Sequence, residues 1–391
     1  MSPPSELEVP RLIGAGPIVV VGIIALAVAM GIGRFAFTPL LPLMLRDGAI
    51  DSATGADWAA ANYGGYLIGA LTAARAGRHI VRELQIALLG VVVSTVLVAF
   101  MQTPFAGMAL RFAAGVFSAW VLVLASSWCL SELAREGASR FGAWIYTGVG
   151  IGITLVGALA WFGGLQPAWV LWLELGLLAA IGTAFVLRAM PQASGTAASR
   201  SAPSQKGPDP GHFDLVICYG AFGFGYILPA TFLPALAREQ VNNPLVFGLT
   251  WPVFGIAAAL SVAVIARSLS TSPRRRVWAA AQALMAVGTG LPAFTRSLWS
   301  LALSAVLVGG TFMVTTMAGL QLARELMPAN PTRLLARMTA AFAAGQIGGP
   351  VFVRLFAMQS DKGWDEISFV SAVAALFLAL SAFWLWRVGR G

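Results

Sequence analysis

The chain has 391 residues, of which 58% are hydrophobic and only 10% are charged. Soluble domains carry about 25% charged residues, so this composition excludes a soluble fold and makes lipid the solvent for most of the surface. The formal net charge is +9, and the two cysteines, Cys129 and Cys218, both lie in apolar segments, which excludes a disulfide framework.

Charge-poor segments of about 20 residues follow one another along the chain, and each is long enough to cross a bilayer as a helix. The predicted spans are 17–45, 56–74, 83–101, 104–131, 140–163, 167–188, 213–237, 245–267, 275–294, 297–323, 333–358 and 365–386. A segment rich in Pro, Ser, Gly and Ala, 191–211, reads as a linker between the sixth and seventh spans. We therefore predict an all-α integral membrane protein with a six-helix bundle over 1–190, a cytoplasmic linker over 191–211 and a second six-helix bundle over 212–391.

Basic residues in the predicted loops fall mainly on one side of the membrane. The side that holds both termini and the linker carries 18 of the 25 lysines and arginines. The positive-inside rule places that side in the cytoplasm. We predict a multi-pass protein of the bacterial cytoplasmic (inner) membrane with both termini cytoplasmic, and the basic balance then requires no nucleic-acid partner.

Two glycine-rich elements occur twice in the chain. Gly31–Pro42 begins with Gly-x-Gly and ends with Leu-Pro, and Gly223–Pro234 repeats this pattern 192 residues later. Gly148–Gly152 similarly matches Gly345–Gly349 at an offset of 197. Such a repeat predicts two pseudo-symmetric halves, as in transporters that rock one bundle against the other. The positions assigned to close helix packing are Gly31, Gly33, Pro42, Gly148, Gly152, Gly223, Gly225, Pro234 and Gly349.

With this repeat, the chain resembles the major facilitator superfamily over almost its whole length. Arg75–Arg78 fits the end of the helix 2–3 loop motif, although Ala74 stands where the motif has Asp, and Arg111–Gly115 matches the Arg-x-x-x-Gly motif of helix 4. The stretch Gly31–Pro42 is similar to the bacterial YbfB/YjiJ-type branch. The resemblance implies twelve transmembrane helices in two pseudo-symmetric six-helix bundles, and a monomer.

Arg34 is the first candidate for substrate binding. An arginine deep in a membrane helix is costly unless it faces the bundle interior or a wet cavity. It could provide a planar fork for an anion, or it could bond to carbonyls of a neighbouring helix. The equivalent residue of the second half is Tyr226. The full set of candidate substrate-binding residues is Arg34, Phe37, Tyr63, Tyr66, Trp120, Tyr146, Tyr226, Trp251 and Gln346.

Charged residues elsewhere are candidates for coupling and gating. The resemblance implies a role for Arg111 in coupling or proton handling, and a helix anchor is the alternative. Glu174, a lone carboxyl in the middle of span 6, could carry a proton or make a structural hydrogen bond. Glu132 could pair with Arg75 or Arg78 when the cytoplasmic side closes, or form an ordinary interfacial salt bridge.

These observations favour a secondary active transporter of a small organic molecule, preferably an organic anion, that works by alternating access with proton coupling. No nucleotide-binding loop is present, so a gradient must supply the energy. The alternative is multidrug-type efflux of amphipathic compounds. A membrane-embedded enzyme and a transporter-like sensor are remote alternatives. No cofactor or metal is predicted; the expected partners are the bilayer, the substrate and a proton or other coupling ion.

Overall fold

A computed structural model describes residues 14–76, 79–101, 103–190, 212–240, 249–269, 271–295, 297–357 and 366–389. The regular elements in these ranges are helices, and the predicted linker 191–211 lies outside them. The long helices are α1 (Ala15–Arg46), α2 (Ser52–Ala76), α3 (Ile80–Val98), α4 (Pro104–Arg135), α5 (Thr147–Phe162), α6 (Ala168–Ala189), α7 (Phe213–Gln240), α8 (Thr250–Ser268), α9 (Arg274–Phe294), α10 (Leu298–Leu326), α11 (Pro331–Ala357) and α12 (Glu366–Val388).

Within the described residues, nine of these helices are long and apolar enough to cross a membrane. The others are α2, α7 and α11, and the apolar part of α7, Phe213–Ile227, is shorter than a full span. α2 and α11 pack against each other, so one face of each contacts protein rather than lipid. This contact explains why small and polar residues are tolerated there. The twelve predicted spans therefore correspond to twelve helices of unequal apolarity.

The two halves, α1–α6 and α7–α12, repeat the same set of helix contacts. In the first half α2 and α3 pack on α4, α3 packs on α6, and α1 packs on α5. In the second half α8 and α9 pack on α10, α9 packs on α12, and α7 packs on α11. Each contact recurs six helices later, which is the plan that the two repeated glycine elements predict.

Glycines let α1 approach its neighbours until backbones touch. A methyl group on Gly31 would lie 2.4 Å from the Cα atom of Gly152, and one on Gly148 would lie 2.1 Å from the carbonyl oxygen of Ile23. A methyl group on Gly33 would lie 2.8 Å from side chains of α3 and α4. Such distances leave no room for a side chain, so these glycines set the position of α1.

The second half uses glycines in the same helix pair with a different register. A methyl group on Gly223 of α7 would lie 2.1 Å from the carbonyl oxygen of Phe342 on α11. In the first half, Gly31 contacts Gly152 of α5. The sequence repeat aligns Gly152 with Gly349, which is buried about two turns further along α11 than Phe342. Gly225 faces the side chain of Leu378 on α12. The halves thus share their helix pairing but not every residue contact.

The halves contact each other chiefly through two helix pairs, α2 with α11 and α5 with α8. The α5–α8 contact is a seam of small residues. A methyl group on Gly150 would lie 2.4 Å from the backbone nitrogen of Ala259, and one on Gly255 would lie 2.5 Å from the backbone nitrogen of Thr154. The two halves therefore meet backbone to backbone along this seam.

Gly150→Ala is expected to destabilise the protein, because the added methyl group overlaps backbone that cannot turn away. Overpacking of this kind costs about 1–3 kcal/mol. The measurement is the melting temperature of the purified protein in detergent. Gly64→Ala is the matched control, since no heavy atom lies within 4 Å of a methyl group at that position. Equal melting temperatures for the two variants would contradict the backbone contact in the seam.

The end of α1 is tied to the start of α6. The carboxylate of Asp47 accepts a hydrogen bond from the backbone N–H of Ala168 at 2.6 Å and pairs with Arg46 at 2.7 Å. Arg46 also donates to the carbonyl oxygens of Gly164 and Gln166. Burial raises the pKa of Asp47, but the hydrogen bond from Ala168 and the Arg46 guanidinium outweigh it and hold the pKa below its usual range.

Asp47→Asn is expected to lower stability at neutral pH and to have no effect in acid. A carboxylate at a helix N-terminus contributes about 0.3–1 kcal/mol. Because the pKa of Asp47 is lower in the folded protein than in the unfolded chain, this contribution is present above the unfolded pKa and is lost as pH falls through the folded value. Melting temperatures of the wild type and the variant should differ at neutral pH and converge below about pH 4. A difference that persists at low pH would show that the carboxylate charge is not responsible, and Asp57→Asn, at an exposed position, is the control.

Candidate substrate-binding site

The first transmembrane helix is interrupted near its middle. Its parts are an α-helix Ala15–Leu26, a π-helix Ala27–Arg34 and an α-helix Phe37–Arg46. The backbone N–H of Phe35 bonds to the carbonyl oxygen of Met30, five residues earlier, at 3.0 Å. Pro39 has no N–H to offer the carbonyl oxygen of Phe35, which accepts a bond from Thr38 at 3.3 Å instead. The proline thus accounts for the irregular hydrogen bonding after Phe35, and π-helical turns such as those in Ala27–Arg34 are frequent at functional sites.

Pro42 lies inside the last part of α1 and is half-buried. The backbone of its repeat, Pro234, lies in α7, while the side chain of Pro234 is outside the described residues. Both prolines therefore occur within long helices, at the positions that the repeated element predicts.

Arg111 of α4 supports the break in α1. Its two terminal nitrogens donate to the carbonyl oxygens of Gly33 and Arg34, each at 3.2 Å. The side chain is 1% exposed, and its guanidinium carbon lies 5.1 Å from the centre of the Phe37 ring. Asn62 of α2 donates to the backbone carbonyl of Arg111 at 2.9 Å. The side chain of Arg111 therefore binds the backbone of α1, and the backbone of Arg111 is bound by the Asn62 side chain of α2.

A pocket of about 60 Å³ lies between the halves at the level of this break. Pockets for small molecules usually enclose roughly 300–1,000 Å³, so this one has room for a few water molecules. A ligand of drug size would need a wider separation of the halves. The lining residues are Arg34, Phe35, Phe37, Thr38, Ala59, Asn62, Tyr63 and Arg111 from the first half and Tyr226, Ile227, Trp251 and Gln346 from the second.

Arg34 is 4% exposed and lies in the wall of the pocket. Its Nη2 donates to Oε1 of Gln346 on α11. The guanidinium carbon lies 3.5 Å from the centre of the Tyr66 ring and 5.9 Å from that of Tyr63, both on α2. Within the described residues, Nε and Nη1 of Arg34 have no hydrogen-bond partner. These two buried donors are available to an acceptor that enters the pocket.

The pocket is positively charged and has aromatic walls. Its described lining contains two arginines and no carboxylate. Phe35 makes edge-to-face contacts across the halves with Trp251 and Phe312, at centroid distances of 6.5 and 6.3 Å. Tyr226 stacks on Phe312 at 5.0 Å. The second half therefore contributes a flat apolar surface beside the cationic wall of the first half.

The structure places the predicted substrate residues in three locations. Six of them line the pocket: Arg34, Phe37, Tyr63, Tyr226, Trp251 and Gln346. Tyr66 stacks on the guanidinium of Arg34. The other two are not among the lining residues: the ring N–H of Trp120 donates to Oγ1 of Thr72 at 2.9 Å, and Tyr146 is fully buried just before α5.

The candidate sets omit five residues of the pocket wall, namely Phe35, Thr38, Ala59, Asn62 and Ile227. Phe35 and Thr38 lie within about one turn after Arg34, Asn62 precedes Tyr63 and Ile227 follows Tyr226, so closeness to a candidate in the sequence was the available signal. Nothing in the sequence marks Ala59 as a pocket residue, because small residues are common throughout membrane helices.

Of the two interpretations of Glu132, the structure shows an interfacial ion pair. Glu132 pairs with Arg135, one turn later on α4, at 3.0 Å. Arg75 is exposed at the end of α2, and Arg78 lies outside the described residues, so the pairing of Glu132 with Arg75 or Arg78 on closure stays a prediction. Glu174 is half-buried on α6, and the described part of the chain offers it no hydrogen-bond or ion-pair partner.

The halves also meet on the linker side of the pocket, the side where α6 ends and α7 begins. The hydroxyl groups of Ser127 on α4 and Thr332 on α11 share a hydrogen bond of 2.7 Å, and both residues are buried. The amide nitrogen of Gln321 on α10 lies 3.4 Å from the position of a methyl group on Gly142, which precedes α5. Protein therefore separates the pocket from the linker side in this state.

Two six-helix halves in one chain, with a pocket between them, define a membrane transporter of the major facilitator class. The family described as "Uncharacterised MFS-type transporter YbfB" matches residues 26–383. Because this match covers most of the chain, the protein belongs to that family and is a transporter rather than an enzyme. The resemblance inferred from the sequence is thereby confirmed. No curated protein matches the chain.

Solved transporter structures share the fold. The human organic anion transporter MFSD10 (TETRAN) has a TM-score of 0.74 and 16% identity, covering 95% of this chain and 99% of its own. A double-tryptophan mutant of XylE has a TM-score of 0.75 and 13% identity, covering 95% of each chain. A single-site mutant of the nucleoside transporter NupG has a TM-score of 0.64 and 16% identity, covering 95% and 99%. These identities are low, so the similarity concerns the fold alone.

Proposed function

We propose that this protein is a secondary active transporter that moves a small organic anion by alternating access. The observation that carries the proposal is Arg34, a buried arginine in the pocket between the halves with two donor nitrogens, Nε and Nη1, that have no acceptor among the described residues. A guanidinium presents its donors in a planar fork that matches a carboxylate. A carboxylate in the pocket would bind the free donors of Arg34 and lay its apolar part against the aromatic wall.

Charge supports an anion over a cation. The described lining of the pocket has the guanidinium groups of Arg34 and Arg111 and no carboxylate to offset them. In a membrane interior, where the dielectric constant is low, such a pocket attracts a negative ligand and repels a positive one. Both terminal nitrogens of Arg111 already serve the backbone of α1, which leaves its Nε as the donor without a described partner. Arg34 has both Nε and a terminal nitrogen without a described partner, so we assign binding to Arg34 and support to Arg111.

The small pocket supports alternating access. A volume of about 60 Å³ is well below that of ordinary ligand pockets, which favours binding and release through separation of the halves on one side at a time. The positive-inside rule assigns the linker side to the cytoplasm, and the bond between Ser127 and Thr332 would then belong to the cytoplasmic gate. One chain supplies both walls of the pocket, which is consistent with a monomer in the bacterial inner membrane.

The proposal is tested by reconstituting the purified protein in liposomes and measuring uptake of labelled acetate, pyruvate and benzoate. We expect saturable uptake of at least one of these anions that is absent from protein-free liposomes. Labelled tetraphenylphosphonium, a hydrophobic cation, is included as a probe of the opposite charge. Uptake of the cation with no uptake of any carboxylate would contradict the anion proposal.

Multidrug-type efflux of amphipathic compounds is the second candidate. The observation that favours it is the run of aromatic rings formed by Phe35, Trp251, Phe254, Phe312 and Tyr226. Aromatic surfaces bind many apolar compounds with little selectivity. The hydrophobic cation in the uptake experiment distinguishes this function from anion transport.

We also propose that transport is coupled to protons and that Glu174 takes part. The carboxyl group of Glu174 lies within a membrane helix and lacks a described partner, whereas Glu132 is paired with Arg135. Glu174→Gln is expected to flatten the dependence of the initial uptake rate on external pH. Glu132→Gln, which removes a surface ion pair, is the control. An unchanged pH profile in Glu174→Gln would exclude Glu174 from coupling.

A further inference from the structure

Gln346 joins the two halves at the pocket. It lies on α11 and is 1% exposed, and its Oε1 accepts a hydrogen bond from Nη2 of Arg34 on α1. The two residues are 312 positions apart in the sequence. This bond therefore exists only while the halves are together at the level of the pocket.

In the empty carrier, the buried charge of Arg34 has no anion beside it to offset the cost of burial. To return after releasing its cargo, the carrier must close around Arg34 with no anion bound. A cation enclosed in the membrane without a partner is costly, and the described lining holds no carboxylate. What remains is the Tyr66 ring, 3.5 Å from the guanidinium carbon, and the amide oxygen of Gln346.

We propose that Gln346 acts as a stand-in for the carboxylate of the substrate, so that the carrier can close when it is empty. This inference rests on the proposed function, since it takes the substrate to be an anion that binds Arg34. A substrate carboxylate can displace the amide, because its hydrogen bonds to a guanidinium are charge-assisted and stronger. Gln346 thus decides whether the protein performs net transport or only exchanges one anion for another.

Two substitutions at this position have different expected effects. Gln346→Ala removes the stand-in, so net uptake should fall about tenfold or more, as expected for loss of a hydrogen bond to a charged group. Exchange should fall less than net uptake, because the carrier then always closes around an anion, so the ratio of net uptake to exchange should drop. Gln346→Glu supplies a permanent carboxylate, which should raise the substrate concentration for half-maximal uptake in both formats.

The first experiment uses labelled benzoate as the probe and compares two formats of proteoliposome. Net uptake is measured with no anion substrate inside, and exchange is measured with unlabelled benzoate inside. Gln85→Ala, which removes a half-buried amide from α3 outside the pocket, is the matched control and should leave the ratio of net uptake to exchange unchanged. Equal loss of net uptake and exchange in Gln346→Ala would overturn the inference.

The second experiment does not depend on the cargo. Spin labels are attached through Asp57→Cys on α2 and Val351→Cys on α11, two exposed positions on different halves, while Cys129 and Cys218 are buried and unlabelled. In the empty protein, adding Gln346→Ala should shift the distance distribution toward longer separations, and adding Gln85→Ala should not. An unchanged distribution would overturn the role of Gln346. Absence of benzoate transport by the wild type in both formats would count against the proposed function for this anion, and the distance measurement would still decide whether Gln346 closes the empty carrier.

Discussion

Arg34→Lys is expected to abolish most anion transport even though the positive charge is kept. Lysine has no planar fork, so it cannot bind a carboxylate through two parallel N–H donors or stack flat on the Tyr66 ring. Removing one partner of a buried hydrogen-bonded charge pair costs about 2 kcal/mol or more. Uptake at low substrate concentration should therefore fall at least about 30-fold.

Two measurements make this result interpretable. The melting temperature of Arg34→Lys is compared with that of the wild type, because a large drop would indicate a folding defect instead of a binding defect. Arg135→Lys, on a side chain that is 70% exposed, should transport like the wild type. Near-normal uptake by Arg34→Lys would mean that the fork of Arg34 does not bind the substrate, and the anion assignment would lose its main support.

Arg111→Ala is expected to cause the largest loss of stability among the polar substitutions considered. The arginine donates to the carbonyl oxygens of Gly33 and Arg34 at the break in α1. Leaving a buried carbonyl without its donor costs about 1–3 kcal/mol, so two of them cost about 2–6 kcal/mol before any cavity is counted. Thermal unfolding in detergent measures the effect, and the yield of folded protein should fall with it.

The matched control lies on the same helix. Arg135→Ala removes an exposed arginine from the end of α4 and should change stability by about 0.5 kcal/mol or less. The family resemblance implies a coupling role for Arg111, and the two roles give different results. Normal stability of Arg111→Ala together with an altered pH profile of uptake would contradict the supporting role and favour coupling.

The helical plan could be predicted from the sequence because lipid imposes a simple rule, an apolar segment of about 20 residues between charges. Pro104 begins α4 as predicted, since Thr103 caps the helix and proline suits its first turn. The same rule located α1 as a span over 17–45 but did not predict its interruption, because the segments on both sides of Arg34 are apolar. The interruption at Arg34 comes from backbone hydrogen bonding near Pro39, and hydropathy does not record it.

The part of the candidate site that could be predicted from the sequence is the part marked by the cost of burying a charged side chain in the membrane. Arg34 stands out because an arginine in the middle of a membrane helix needs a reason. Its bond to Gln346 joins positions 312 residues apart, and the sequence gives no spacing that reveals such a contact. Glu132 shows the opposite case, in which an interfacial salt bridge was among the interpretations and its local partner, Arg135, lies one turn away on the same helix.

The contacts between the halves have the geometry of a symmetric dimer. α2 of the first half meets α11, the counterpart of α5, and α5 meets α8, the counterpart of α2. Each half thus contacts the other through the same pair of equivalent helices, which is the arrangement of an isologous interface. Two identical six-helix chains joined in this way would necessarily carry the same residue at position 34 in both copies and place two like charges beside one pocket. Joining the copies in a single chain removes that constraint, so one copy can keep Arg34 while the other has Tyr226, and the pocket becomes polar on one wall and aromatic on the other.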